Sequence, residues 1–246
     1  MEQSRAYLIV GASGAIGSAV ATHLAGANVG LGLHYNTRET AATTLRTRLE
    51  QAGAECESFQ SDLADENACR ELVARFHERF KSVNGLAICG GTVQWKAWRD
   101  LDKESWQATH FEHCIAPFTI ASAACELMGQ RGNGRIVFLS SIAAKYGGSS
   151  KTIHYAAAKS ALEAAMRGLA REVASIGITV NAVRAGFIDT QLQRRGRTAE
   201  EITERVRMIP AGRAGTPEEV ASAIVYLLSD SAGFVTGELI TVAGGD

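Results

Sequence analysis

The run AYLIVGASGAIGSAV, residues 6–20, constrains the fold more than any other part of the chain. Five mostly apolar residues stop abruptly at Gly11, and glycine recurs at Gly14 and Gly17 as an apolar helical pattern begins. A membrane span needs about 20 predominantly apolar residues. Ala6 to Leu33 is instead broken by six glycines and by Ser13, Ser18, Thr22, His23 and Asn28. A secretory leader would show one compact apolar block and then a small-residue cleavage site. What remains is strand, glycine turn, helix. Missing Cβ atoms at such a join permit a tight turn, a close backbone approach to a pyrophosphate and close helix packing. The N–H groups of the helix start then face the phosphates. The spacing here is G-x-x-G-x-G rather than the commoner G-x-G-x-x-G, so an ordinary glycine-rich turn stays open on this stretch alone.

The rest of the chain argues for the ligand-binding turn. Short Val- and Ile-rich runs near 6–10, 29–35, 55–60, 85–89, 135–140, 178–184 and 238–242 alternate with amphipathic stretches near 15–25, 39–52, 65–81, 102–128, 153–176 and 216–229. That alternation predicts a Rossmann-like, doubly wound parallel α/β sheet of about seven strands with helices on both faces. No repeat or linker divides the chain, and 246 residues with 46% hydrophobic content suit one domain over 1–246. The charged segment 190–212 is longer than an ordinary connection and is expected to be a substrate lid. A net charge of -1 offers no global field for nucleic acid or an anionic membrane. Cys56, Cys69, Cys89, Cys114 and Cys125 are odd in number and lack C-x-x-C spacing, which points to a reducing, cytoplasmic setting.

Chemistry in such a sheet belongs at the carboxyl ends of the strands. After GRIVFLS come Ser140 and Ser141, and the helix that follows carries Tyr155 and Lys159 at i and i+4, on one face. An ammonium about 4 Å from a phenol contributes on the order of 4 kcal/mol at an effective dielectric of about 20. Lys159 is therefore expected to pull the Tyr155 pKa down toward neutrality, making it a proton-transfer group while a serine hydroxyl orients the substrate oxygen.

These residues resemble the classical short-chain dehydrogenase/reductases, in particular the 3-oxoacyl-[acyl-carrier-protein] reductase type. The resemblance runs through VGASGAIG, SDL, GRIVFLSSIAA, YAAAK, REVASIGITVNAVRAGFIDT and GRAGTPEEVASAIVYLLSD to TGELITVAGGD. It implies catalytic roles for Ser141, Tyr155 and Lys159, with Ser140 the alternative serine. It also implies cofactor contacts from Gly11, Ser13, Ala15, Ile16 and Gly17 in the turn, from Asp62 and Leu63 after the third strand, and from Gly91, Tyr155, Lys159, Gly186, Ile188 and Thr190 around the nicotinamide. Asp62 has a plainer alternative as a cap for the following helix. The second strand leads into HYNTRET, with Asn36 and Arg38 and no acid before Glu39, which favours NADP(H) over NAD(H). Relatives pair into twofold assemblies, so a homotetramer is expected.

Departures matter as much. Ile88, Cys89, Gly90 and Gly91 stand where the family has NNAG, and Ala185 precedes Gly186 where it has proline. His113 stands where a catalytic Asn relays protons to the lysine, and an imidazole near its ordinary pKa would add an acid limb near pH 6.5. His110, His113 and Cys114 share a helical face, yet no fourth ligand is near and no metal is expected. Arg194, Arg195 and Arg197, with Arg131 and Arg135, form either a basic rim for an acyl carrier protein or a solvated surface. Two functions follow: an NADPH-dependent ketoreductase of β-keto acyl thioesters or of another small ketone, and a nucleotide-binding subunit without chemistry.

Overall fold

The computed structural model describes residues 5–130, 132–195 and 197–246. The strands are β1 (Arg5–Val10), β2 (Val29–Tyr35), β3 (Glu55–Gln60), β4 (Gly85–Ile88), β5 (Gly134–Ser141), β6 (Ile178–Ala185) and β7 (Leu239–Val242). They form one sheet in the order β3-β2-β1-β4-β5-β6-β7, each pair parallel. The helices are α1 (Ala15–Leu24), α2 (Glu39–Gln51), α3 (Glu66–Phe80), α4 (Lys103–His110), α5 (Ala116–Gly129), α6 (Ala143–Tyr146), α7 (Ile153–Val173), α8 (Gln191–Arg195), α9 (Ala199–Arg207) and α10 (Pro217–Leu228).

The layers follow from the two-residue period of a strand. Along β1, Leu8 and Val10 point into a core shared with α3, α5 and α7, while Tyr7 and Ile9 point into one shared with α1, α2 and α10. Both faces are covered, so the strand reads as a continuous apolar run rather than an alternating one. The order of strands reverses between β1 and β4, the place where ligands of such sheets bind.

The structure alters three expectations. The helix expected over 102–128 is interrupted by a π-turn at Phe111–Ile115, where the Ala116 N–H bonds the Phe111 carbonyl five residues back. Pro117 explains it: without an N–H it cannot bond the His113 carbonyl in α-helical register. The segment 190–212 contains two short helices, and α9 begins with a capping box of Thr198 and Glu201. Asp65, not Asp62, caps α3, its Oδ1 accepting from the Ala68 N–H at 2.9 Å.

Candidate active site

Gly11 closes β1 at φ +79°, and a Cβ there would lie 2.5 Å from the Gly90 Cα at the end of β4. A Cβ on Gly17 would fall 2.4 Å from the Gly11 carbonyl oxygen. Both positions therefore exclude any larger residue, whereas Gly14, at φ -82°, simply begins α1 without a side-chain cap. The first N–H groups of α1, from Ala15 to Gly17, thus have no capping side chain, as an anion cradle requires. His34, buried in β2, holds the turn: its Nδ1 accepts from the Gly11 N–H at 3.1 Å and its Nε2–H donates to the Ser61 carbonyl at 3.1 Å. Burial lowers its pKa, so the ring stays neutral, as that pair of bonds needs.

Asp62 is free of capping duty and accepts from Asn36 Nδ2 at 3.2 Å, joining the ends of β2 and β3 beside the turn. Arg38 is exposed at the start of α2, on a groove that Ser18, Thr37, Thr40 and Arg48 also line. Leu63 packs against the core on the α3, α5 and α7 face, whereas Ile188 is buried in the core on the opposite face and bridged to Gly215, so a ligand would meet the Ile188 backbone rather than its side chain. Gly186 lies against the Ala243 Cα, where a Cβ would come within 2.6 Å, and Thr190 opens the segment carrying α8. Ser13, Ala15 and Ile16 all lie at the start of α1.

At the ends of β4 and β5, Ser141, Tyr155, Lys159 and His113 converge. The Ser141 hydroxyl acts on that of Tyr155 as a polar neighbour that lowers its pKa. The Ser141 Oγ accepts from the Ala143 N–H at 3.1 Å, leaving its own proton to donate. Ser140 points the other way, its Oγ donating to Glu163 Oε1 at 2.6 Å in the interior, so the choice between the two serines falls to Ser141. Lys159 Nζ donates to the Leu139 carbonyl at 2.7 Å and stands 5.9 Å from the centre of the Tyr155 ring.

The electrostatics differ from the expected pull of ammonium on phenol. Burial pushes Tyr155 up to about 12, only partly opposed by Ser141, and lowers Lys159 to about 8. Desolvation of both groups thus outweighs their attraction, and near neutral pH the pair is a phenol beside an ammonium. Burial likewise pushes the Cys89 thiol up to about 12, so it is not a thiolate.

The π-turn aims His113 inward. Its ring meets Tyr155 edge-on with centroids 4.9 Å apart, and its Nε2–H donates to the Thr92 carbonyl at 2.6 Å. Its Nδ1 is buried without a partner, against Gly91. Burial and Lys159 lower its pKa to about 3, which removes the acid limb expected near pH 6.5. Glu112, on the same turn, had no sequence signal: it accepts from the Thr92 N–H at 2.7 Å and, after burial, is the largest influence on Lys159, raising its pKa. Among the described residues no three His, Cys, Asp or Glu side chains are grouped to hold a metal.

The expected basic rim does not form as one patch. Arg135 is at the start of β5, six residues or about 20 Å from Ser141. Arg194 pairs with Asp189, Arg197 turns inward, and Arg131 lies outside the described residues. No helix among the described residues is long and apolar enough to cross a membrane.

A family model described as enoyl-(acyl carrier protein) reductase matches residues 11–246. An uncharacterized oxidoreductase of Bacillus subtilis (strain 168), YmfI, is 33% identical over 243 residues, 98% of each chain. The 3-oxoacyl-[acyl-carrier-protein] reductase FabG of Escherichia coli (strain K12) is 31% identical over 245 residues, 99% of this chain and 97% of that one. A solved short-chain type dehydrogenase/reductase from Mycobacterium ulcerans superposes with a TM-score of 0.90 at 28% identity, over 99% of this chain and 90% of that one.

Proposed function

We propose a specific activity from one established premise: the chain belongs to the short-chain dehydrogenase/reductase family and is an NAD(P)-dependent oxidoreductase acting on CH–OH and C=O groups. The activity is reduction of a β-keto acyl thioester, carried on an acyl carrier protein, to the β-hydroxy product. The observation that carries this reading is the buried, neutral Tyr155 hydroxyl beside Ser141, with the Lys159 ammonium 5.9 Å from its ring. A phenol that keeps its proton at neutral pH is suited to give it to an oxygen gaining negative charge, which is the reductive direction.

The cofactor fits the residues present. The glycine cradle at Gly11 and Gly17 and the uncapped start of α1 suit a pyrophosphate, with Ser13, Ala15 and Ile16 beside it. Asp62 and Leu63 would hold the adenine, and Gly91, Lys159, Gly186, Ile188 and Thr190 the nicotinamide end. When bound, the nicotinamide supplies the hydride. Ser141 donates a hydrogen bond to the substrate carbonyl oxygen, and Tyr155 gives that oxygen its proton. Lys159 stabilises the phenolate left behind, and the bare Nδ1 of His113 would hold, as an acceptor, the water that brings a replacement proton.

The groove bearing Arg38, Thr37 and Arg48 supports NADP(H), since two cations line it against one acid, Glu39, and the end of β2 itself carries no acid. Arg38→Asp is expected to lower the NADPH-to-NADH ratio of kcat/KM about tenfold to a hundredfold, the scale of one lost hydrogen bond to a charge. An unchanged ratio removes Arg38 from cofactor choice. The homotetramer is supported by exposed Trp98, Trp106, Ile115, Tyr146 and Ile153 along α4 to α7, and by Phe234 before β7.

The test is NADPH oxidation with acetoacetyl-carrier protein across pH. Lys159 titrates at about 8 and loses its charge above that value, whereas Tyr155 and His113 stay neutral from pH 5 to 10. Reductive kcat/KM is expected to hold level on the acid side and to fall as pH rises through about 8. No turnover of the thioester rejects the substrate, and a limb near pH 6.5 rejects the electrostatic account.

A further inference from the structure

The mouth of this site holds a cation that the reaction above does not use. Arg197, between α8 and α9, has its guanidinium carbon 4.5 Å from the centre of the Trp95 ring and 5.3 Å from that of Phe187. Those rings come from segments that follow different strands. Trp95 is on the loop after β4, which is hydrogen-bonded to the approach to α7 through Lys96 N–H to the Lys151 carbonyl and Trp98 N–H to the Ser150 carbonyl. Phe187 follows β6, two residues beyond Ala185, the register partner of Ser141. Arg197 therefore links the loop after β4 to the segment after β6, at the end of the sheet where Ser141 lies.

Its charge is only partly compensated: Glu201 acts on it through space, against the repulsion of Arg205 and the cost of burial. Among the described residues no carboxylate forms an ion pair with Arg197, and the hydrogen bond it donates goes to the neutral amide oxygen of Gln193. The neighbouring Arg205, 6.0 Å from the Phe187 ring, is by contrast paired with Asp246. Stacking occupies the faces of a guanidinium and leaves its edge, with most of its five N–H donors, for a ligand. Trp95 adds a second donor, since its Nε1–H is buried with no hydrogen-bond partner. A half-buried cation without a directly paired carboxylate costs solvation, and a substrate anion is the group that would restore it.

We infer that the substrate carries an anionic oxygen group beyond its reacting carbonyl, a carboxylate or a phosphate, and that Arg197, held between Trp95 and Phe187, receives it. This rests on the ketone-reducing reading and narrows its substrate class. A latch that merely holds α8 and α9 over the cleft by stacking would show no charge preference.

Two matched pairs of ligands test it: acetoacetate with methyl acetoacetate, and acetoacetyl-pantetheine 4′-phosphate with acetoacetyl-pantetheine. Binding to the NADP+-loaded protein is read by calorimetry and reduction by NADPH oxidation. At least one pair is expected to favour its anionic member by about tenfold to a hundredfold in Kd, as a hydrogen bond to a charged group does. The carboxylate pair responding alone identifies a free keto acid, and the phosphate pair alone identifies a carrier arm. Arg197→Gln is expected to bring the ratio to within about threefold of one, and Arg197→Lys to retain part of it. Ratios near one in the unsubstituted protein overturn the inference, as does Arg197→Gln weakening charged and neutral members equally. A charge preference in binding with no NADPH oxidation leaves the anion site standing and removes the ketone-reducing reading instead.

Discussion

Tyr155→Phe is expected to lower the turnover of carbonyl reduction by at least about a hundredfold, the usual scale for a general acid, while NADPH binding changes little. The substitution deletes one oxygen and keeps the ring, so the edge-on packing against His113 survives. What disappears is the buried hydroxyl that lies beside Ser141 and is backed by Lys159. Stopped-flow reduction with saturating NADPH separates the proton-transfer defect from binding, which fluorescence titration of NADPH reads independently. Retention of more than a tenth of the turnover would assign the proton to another donor.

The second large effect is on stability. Glu163, one helical turn beyond Lys159, is buried, accepts from Ser140 Oγ at 2.6 Å, and takes both Nε and Nη2 of Arg184 at 2.9 and 2.5 Å. The cluster ties β5, β6 and α7 together just beneath the reacting groups. Glu163→Ala leaves a largely buried guanidinium without its pair and a buried hydroxyl without a partner, which costs about 3–5 kcal/mol. For a chain of this size that lowers Tm by on the order of 10 °C. Because Glu163 also helps to raise the Lys159 pKa, the alkaline limb of the pH profile should move below about 8 in the same variant. A change in Tm of under 2 °C in calorimetry would show that the pair merely breaks even against its desolvation.

Much of this architecture was legible because its causes are local. Val- and Ile-rich runs, the amphipathic stretches between them and the glycines after β1 act through neighbours in the chain. The capping box at Thr198–Glu201 was equally local and passed unread inside a segment taken for a loop. Pro117 likewise carried the signal for the π-turn, since a missing N–H four residues after His113 breaks the α-helical register there.

The site divides along the same line. Tyr155 and Lys159 belong together by helical spacing alone, and the turn from Gly11 to Gly17 by the space that a backbone needs. The sequence by itself thus determined the sheet, the glycine turn and the phenol–ammonium pair. Tertiary structure decided which serine joins them, because Ser140 and Ser141 differ only in the face of β5 they take, and Glu163 with Arg184 claims one of them. It decided that Tyr155 is a protonated acid and His113 a neutral ring, because desolvation depends on what surrounds a group from every direction. It also decided that Arg197 faces Trp95, about a hundred positions away, and Phe187 without a directly paired carboxylate, a juxtaposition that no local pattern encodes.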